Sequence, residues 1–252
     1  MFMTRFYCLS FFFCLLLTSC RQTGPSVAAD APADAPVVVE PTPTPVPDAP
    51  KSRTALRFDS LGLVNLAELD SSLVVDLMYA RLDNFVGEVL YDDLTEAYLH
   101  PHAAEALLKA QRLLKEQCPA YALIVYDATR PMAAQRRMWN AVKGTAKYKY
   151  VSNPARGGGL HNYGLAVDVS IVDADGTALP MGTPVDHLGP EAHTDAENAL
   201  LTRGIITADE LENRRLLRNV MRAAGFRVLP SEWWHFNYCS RQVAKEKYRI
   251  IE

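Results

Sequence analysis

Between His102 and Gln117 the apolar residues Ala103, Ala106, Leu107, Ala110, Leu113 and Leu114 recur every three to four positions, which predicts a helix with one buried face. Tyr121 to Asp127 follows a different rule. Ala122-Leu-Ile-Val-Tyr is a continuous apolar run of strand length that ends just before Arg130. Pro131 then opens a second helix through about Val142, because proline is tolerated in a first turn. Leu165 to Val172 reads as another strand. Asp173-Ala-Asp-Gly176 is a turn signal, with a hairpin partner expected near Thr177 to Leu179. Thr207-Ala-Asp-Glu210 has the pattern of a capping box, and the helix behind it runs to about Ala224 and stops at Gly225. Phe226 to Leu229 and Trp233 to Tyr238 read as closing strands.

Other stretches are less regular. Leu63 to Leu69 and Leu73 to Tyr79 are short apolar runs, the second strand-like, followed by a loop from Ala80 to Asp93 with an apolar patch at Phe85 and Val86. Lys143 to Gly159 is a polar, glycine-rich loop. Pro180 to Ile206, with Pro184 and Pro190, is expected to be irregular; a loop of that length points to a role in function. Helices and hairpin-like strands mix without a regular βαβ alternation. The expected class is therefore α+β: a single compact domain with a mainly antiparallel sheet flanked by helices.

Two segments stand apart from that domain. Arg5 followed by the apolar run Phe6 to Leu17 reads as a signal peptide, the run being too short for a membrane span of about 20 residues. Leu17-Thr18-Ser19-Cys20 resembles a bacterial lipoprotein cleavage box. Cleavage before Cys20 and lipidation of its thiol would tether the chain to a membrane. Arg21 to Ser52 holds half of the 16 prolines and reads as an extended spacer. The expected organisation is residues 1–19 as lipoprotein signal peptide, 20–52 as lipidated cysteine and Pro-rich tether, and 53–252 as the folded domain. That organisation makes the protein a periplasmic lipoprotein of a bacterial cell envelope. The net charge of −3 carries no basic excess, which argues against a nucleic-acid partner. Beyond the leader only Cys20, Cys118 and Cys239 remain; the last two could pair in an oxidising compartment or stay as thiols.

The chemistry concentrates from Gly157 to Asp173. A glycine-rich loop carrying His161 feeds an apolar strand carrying Asp168 between Val167 and Val169. A carboxylate on such a strand is costly unless a positive partner meets it. Taken alone, this spacing reads more readily as a capped aspartate and an unrelated histidine than as two metal ligands. Ser231-Glu-Trp-Trp-His235 changes the reading, since it offers a third ligand together with a carboxylate. Two histidines and one aspartate leave an open position on a catalytic zinc, which lowers the pKa of a bound water to about 7 and polarises a carbonyl. Glu232 lies three residues from His235. In a regular strand that spacing points the two to opposite faces, so one of them must sit at a bend. Trp233 and Trp234 are expected to wall the site and raise the Glu232 pKa.

His161-Asn-Tyr-Gly164-Leu-Ala166-Val-Asp168 resembles the His-x-x-Gly-x-Ala-x-Asp zinc motif of the D-alanyl-D-alanine dipeptidases, VanX-like zinc peptidases related to the D,D-carboxypeptidases. Glu232-Trp-Trp-His235 is similar to that family's second motif, and Asp127-Ala-Thr-Arg130-Pro131 to its Asp-x-x-Arg-Pro segment. The resemblance covers roughly Val64 to Tyr238. It implies one zinc ion per chain held by His161, Asp168 and His235, with Glu232 as general base and Arg130 stabilising the transition state. It also implies Asp127 orienting Arg130, Asp186 meeting the substrate ammonium, and a small D,D-dipeptide as substrate. The alternatives are a D,D- or L,D-carboxypeptidase acting on longer wall peptides, and a non-catalytic zinc module that binds wall fragments. Two departures stand out. Gly159 replaces the serine of the family's Ser-x-His, and Met78 stands where a basic residue is expected. His187 and His193 lack the context of either motif and read as surface histidines; His100 and His102 flank a helix start.

Overall fold

The computed structural model describes residues 50–252, so the expected signal peptide, Cys20 and nearly all of the tether lie outside the described residues. The chain enters the domain through helix α1 (Arg53–Ser60), whose first turn is capped by the Ser52 hydroxyl accepting from the Ala55 N–H. Strand β1 (Val64–Asn65), the short helix α2 (Leu66–Leu69) and strand β2 (Val74–Val75) follow, and β3 (Tyr98–Leu99) pairs with β1. Helix α3 (Pro101–Gln117), strand β4 (Ala122–Asp127) and helix α4 (Met132–Val142) come next, within a residue or so of the pattern-based expectation. Then come β5 (Ala166–Val172), α5 (Glu197–Thr202), α6 (Ala208–Ala223), β6 (Arg227–Leu229), β7 (Glu232–Asn237) and α7 (Arg241–Lys247).

Five strands form the main sheet in the order β2-β4-β5-β7-β6. Only β2 runs parallel to its neighbour; the other pairings are antiparallel. The expected α+β domain with a mainly antiparallel sheet is what the chain forms. Every residue of β5 is buried, because it lies between β4 and β7 while α6 packs against it. Val167, Val169 and Ile171 face one way; Ala166, Asp168 and Ser170 face the other. The Thr207–Glu210 capping box forms as expected: the Thr207 hydroxyl accepts from the Glu210 N–H and the Glu210 carboxylate from the Thr207 N–H.

The irregular stretches differ from expectation in detail. Pro180 to Ile206 contains α5 and a 3-10 turn at Pro190–Ala192, and the loop after Lys143 contains 3-10 turns at Ala146–Tyr150 and Pro154–Arg156. The hairpin partner after Asp173 shrinks to a single bridge between Val172 and Ala178. The C-terminal tail is also part of the fold. Ile251 is buried, donates its N–H to the Asn162 carbonyl and accepts from the Met132 N–H. The tail thus ties the loop bearing His161 to α4. No helix among the described residues is long and apolar enough to cross a membrane.

Candidate active site

Three neighbouring strands and one tight turn meet at the site. His161 lies in a 3-10 turn, Leu160–Tyr163, which ends at Gly164 with φ +67°. A Cβ at Gly164 would stand 3.0 Å from the Thr129 hydroxyl and 3.1 Å from the His100 backbone nitrogen, so both the space and the left-handed backbone require glycine. Asn162 braces the turn: its side-chain Oδ1 accepts from the Gly159 N–H and its side-chain Nδ2 donates to the Arg130 carbonyl. Asp168 on β5 pairs directly with His235 on β7 and with Asp127 on β4. Directly opposed residues share a face, so this register puts all three side chains on one side of the sheet.

The ligand atoms of His161, Asp168 and His235 lie within 4.8 Å of one another. His161 Nε2 is 3.2 Å from His235 Nδ1 and 3.3 Å from Asp168 Oδ2, and His235 Nδ1 is 2.9 Å from Asp168 Oδ1. The outward nitrogens are occupied. His161 Nδ1 donates to the Ala128 carbonyl at 2.7 Å, and His235 Nε2 to Asn237 Oδ1 at 3.0 Å. Each imidazole therefore turns a lone pair inward, the orientation that outer partners impose on metal-binding histidines. Two lone pairs and a carboxylate converging in a buried space repel unless a cation joins them, so this donor set fits a metal ion. The charges respond accordingly. Burial alone would raise the Asp168 pKa, but the two imidazoles more than offset it and hold the group well below the carboxylate range. Burial would lower the His161 pKa; Asp168 and Asp127 reverse this and raise it.

Glu232 is buried, with Oε2 3.9 Å from His235 Nδ1. The bend required by its odd spacing is present: opposite β6, the register of β7 shifts between the Val228–Phe236 and Leu229–Glu232 pairs. Burial pushes the Glu232 carboxyl up to about 7, with His235 opposing and Asp168 reinforcing. The tryptophans do not form the expected wall. Neither lines the pocket, which correction follows from their packing: Trp234 is in the core and Trp233 donates its indole N–H to Thr183. The apolar walls come instead from Phe85, Met138, Leu160, Leu188 and Leu229.

Arg130 is held from several sides. Its Nε and Nη2 donate to Asp127 Oδ2 at 3.0 and 2.5 Å, its Nη1 donates to Gln135 Oε1 at 3.0 Å, and its guanidinium lies 5.0 Å from the centre of the Tyr79 ring. Asp127 is fully buried and also accepts from the Tyr91 hydroxyl. Of the five guanidinium N–H groups these bonds use three. The remaining two are on Nη1 and Nη2, and Nη2 lies 3.7 Å from Asp168 Oδ2. Burial works against the charge on Arg130, but Asp127, Tyr79, Tyr91 and Asp168 together outweigh it and keep the group protonated.

Asp186 lines the same pocket, whose volume is about 210 Å³. Its φ of +64° is the one positive value on a non-glycine residue among the described residues. A left-handed backbone costs an L-residue about 1–2 kcal/mol, a strain that concentrates at functional sites. Its Oδ2 accepts from the Tyr79 hydroxyl at 2.6 Å, and burial, reinforced by Asp168, raises its pKa to about 7.

The profile of peptidase family M15, described as D-ala-D-ala dipeptidase, matches residues 59–251. The chain belongs to this family. M15 membership makes it a metal-dependent peptidase, and His161, Asp168 and His235 are its candidate metal-binding group. Its relatives among this family include D-alanyl-D-alanine dipeptidases from Escherichia coli K12, at 32% identity over 71% of this chain and 85% of the relative, and from Enterococcus faecium, at 29% over 70% and 91%. A third, from Streptomyces coelicolor, is 29% identical over 67% of this chain and 87% of its own length.

Against the family pattern, the departures have local answers. Gly159 leaves room that another residue fills: a Cβ there would stand 3.0 Å from the Ser152 hydroxyl, so a serine hydroxyl still lines the pocket from a different position. Met78 is buried and outside the pocket lining, whereas its neighbour Tyr79 lines it. His187 and His193 do not reach the metal group; they contact Glu191 and Tyr150. Cys239 keeps a free thiol. Tyr79, Tyr91, Gln135 and Asn237 were absent from the sequence expectations. Of these only Asn237 had a local signal, standing two residues beyond His235 on the same strand face.

Proposed function

We propose that the chain is a zinc D,D-dipeptidase that hydrolyses D-Ala-D-Ala. The observation that carries this reading is the arrangement of Glu232, Arg130 and Asp186 around one buried two-histidine, one-aspartate group. His161 Nε2, His235 Nδ1 and an Asp168 oxygen would hold the zinc. When bound, zinc supplies Lewis-acid polarisation of the scissile carbonyl and activation of a water. Glu232 takes a proton on Oε2 and returns it to the leaving amine. A carboxyl held near 7 can do both close to neutral pH. Arg130 turns its two uncommitted N–H groups toward the carbonyl oxygen, where negative charge grows during attack; Asp127, Gln135 and Tyr79 fix it beforehand, so little reorganisation is left for the reaction itself. Asp186 receives the substrate ammonium, with Tyr79 holding the carboxylate in place.

The same reading extends to the N-terminal segments. Residues 1–19 act as a lipoprotein signal and Cys20 carries the lipid. Residues 21–52 hold the catalytic domain off a membrane of the cell envelope. Support for this comes from Arg5, the apolar run after it, and the Leu17–Cys20 box.

The deciding experiment is hydrolysis of D-Ala-D-Ala, N-acetyl-D-Ala-D-Ala and a wall pentapeptide by the purified protein, with and without a chelator. The expected result is chelator-sensitive cleavage of the free dipeptide, with the blocked substrate slower by orders of magnitude. A site built for a charged contact rejects a ligand that leaves its charge unpaired. Equal or faster cleavage of the blocked substrates would replace the dipeptidase with a carboxypeptidase on the same metal group.

A further inference from the structure

The pocket contains three carboxyl groups, from Asp168, Asp186 and Glu232, and two guanidinium groups, from Arg130 and Arg241. Arg130 is committed to Asp127 and Gln135. Arg241 is different. It is exposed, opens α7, and makes no ion pair among the described residues; its Nη2 donates only to the Arg156 carbonyl, at 2.8 Å. It also lines a second groove, which joins the pocket at Val151 and Arg241. Lys149 and Arg156 line that groove too, again without ion pairs among the described residues, and no acidic residue does. From Lys143 to Gly159 the chain carries Lys143, Lys147, Lys149 and Arg156 and no acid, although its overall net charge is −3. The site is therefore polarised, acidic where Asp186 and Glu232 stand and basic toward Arg241. At the join, the partly buried Ser152 hydroxyl lines the pocket and has no hydrogen-bond partner among the described residues.

We propose that Arg241, assisted by the Ser152 hydroxyl and the field of Lys149 and Arg156, binds the free carboxylate of the substrate's C-terminal residue. This deepens the dipeptidase reading and rests on it. A zwitterionic dipeptide brings one cationic and one anionic end. Its ammonium is drawn to Asp186, and its carboxylate is repelled by the pocket acids and drawn to the one pocket guanidinium that no side chain neutralises. Arginine suits the task because its planar fork matches a carboxylate. Because Arg241 is on the surface, its contact acts mainly on substrate binding.

The test compares kcat/KM for D-Ala-D-Ala and its C-terminal amide, D-alanyl-D-alaninamide, in wild type, Arg241→Ala and Arg241→Lys. Wild type should prefer the free acid by about 10-fold to 200-fold, the span of a charge-assisted contact of about 1.5–3 kcal/mol. Arg241→Ala should bring that ratio toward one, chiefly by raising KM for the acid, and Arg241→Lys should restore part of it. Added salt should raise KM for the acid in wild type more than in Arg241→Ala. An unchanged acid-to-amide ratio in Arg241→Ala, or an equal loss on both substrates, would overturn the assignment. If wild type cleaves only N-acetylated substrates, the dipeptidase reading fails and the same ratio is read on N-acetyl-D-Ala-D-Ala and its amide. If it cleaves neither, calorimetric binding of D-Ala-D-Ala to wild type and Arg241→Ala decides: a loss in the variant supports the contact, and equal affinities refute it.

Discussion

Asp127→Asn changes one buried charge and almost no volume, which makes it a sharp probe of how Arg130 is held. Asp127 is fully buried, and Arg130 is 8% exposed, so the pair is poorly screened. At a charge separation of about 4 Å and an effective dielectric of about 20, their attraction is about 4 kcal/mol. Removing one partner of a buried pair costs about 3–5 kcal/mol, because the other charge is left behind. Two features soften the loss. The amide oxygen introduced by the substitution would still accept one guanidinium N–H, and Asp168 Oδ2 lies 3.7 Å from Arg130 Nη2. A cost of about 2–4 kcal/mol remains, or about 5–15 °C in Tm for a domain of this size. Catalysis should suffer as well: kcat should fall at least about tenfold, toward the 10²–10³ typical of a lost transition-state donor. Metal content should hold, because His161 Nδ1 keeps its 2.7 Å hydrogen bond to the Ala128 carbonyl when the Asp127 oxygen, 3.3 Å from the same nitrogen, loses its charge. The assay is circular-dichroism melting of metal-loaded protein, with metal stoichiometry and steady-state kinetics on the same samples. A Tm within about 2 °C of wild type together with an unchanged kcat would show that Asp127 does not hold Arg130.

The remaining expectations are simpler to state. His161→Ala and His235→Ala should each lose most of the bound metal by elemental analysis, whereas Glu232→Gln should keep it and lose at least about 10²-fold in kcat; full occupancy in both histidine variants would sink the ligand assignment. In chelated protein, burial raises the Glu232 carboxyl from 4.5 to about 7, so the folded state binds a proton that the unfolded state has released. That contribution to stability is fully present below about 4.5 and is lost as pH rises through about 7. The melting temperature of chelated wild type should thus fall more steeply than that of Glu232→Gln over this window, and parallel curves would contradict the burial argument. The native chain should begin at Cys20 and sediment with membranes, with Cys20→Ala released or misprocessed; a soluble native protein with another N-terminus would refute the anchor.

What the sequence determined by itself was whatever is encoded locally. The helix at α3 followed from the spacing of Ala103, Ala106, Leu107 and Ala110, and the start of α6 from Thr207 and Glu210, because the interacting groups lie within one or two turns. The candidate metal group was legible for a related reason: His161 and Asp168 are seven residues apart on one loop and strand, and Glu232 and His235 three apart on another. Even the bend at Glu232 followed from strand periodicity. The tertiary structure decided the rest. The sequence contains nothing local that brings Tyr79 to Asp186 or Tyr91 to Asp127, since those hydroxyls arrive from 107 and 36 residues away. Trp233 and Trp234 next to a glutamate suggested a wall, yet strand packing turns them elsewhere, and Phe85, Leu188 and Leu229 form it from three distant segments. The parallel placement of β2 and the burial of Ile251 were equally silent, because short apolar runs specify neither a partner nor a direction. Arg241 carries no local signal in the sequence. Its meaning comes from a charge imbalance across the pocket, which exists only once α7 and the Lys143–Gly159 loop are folded against the site.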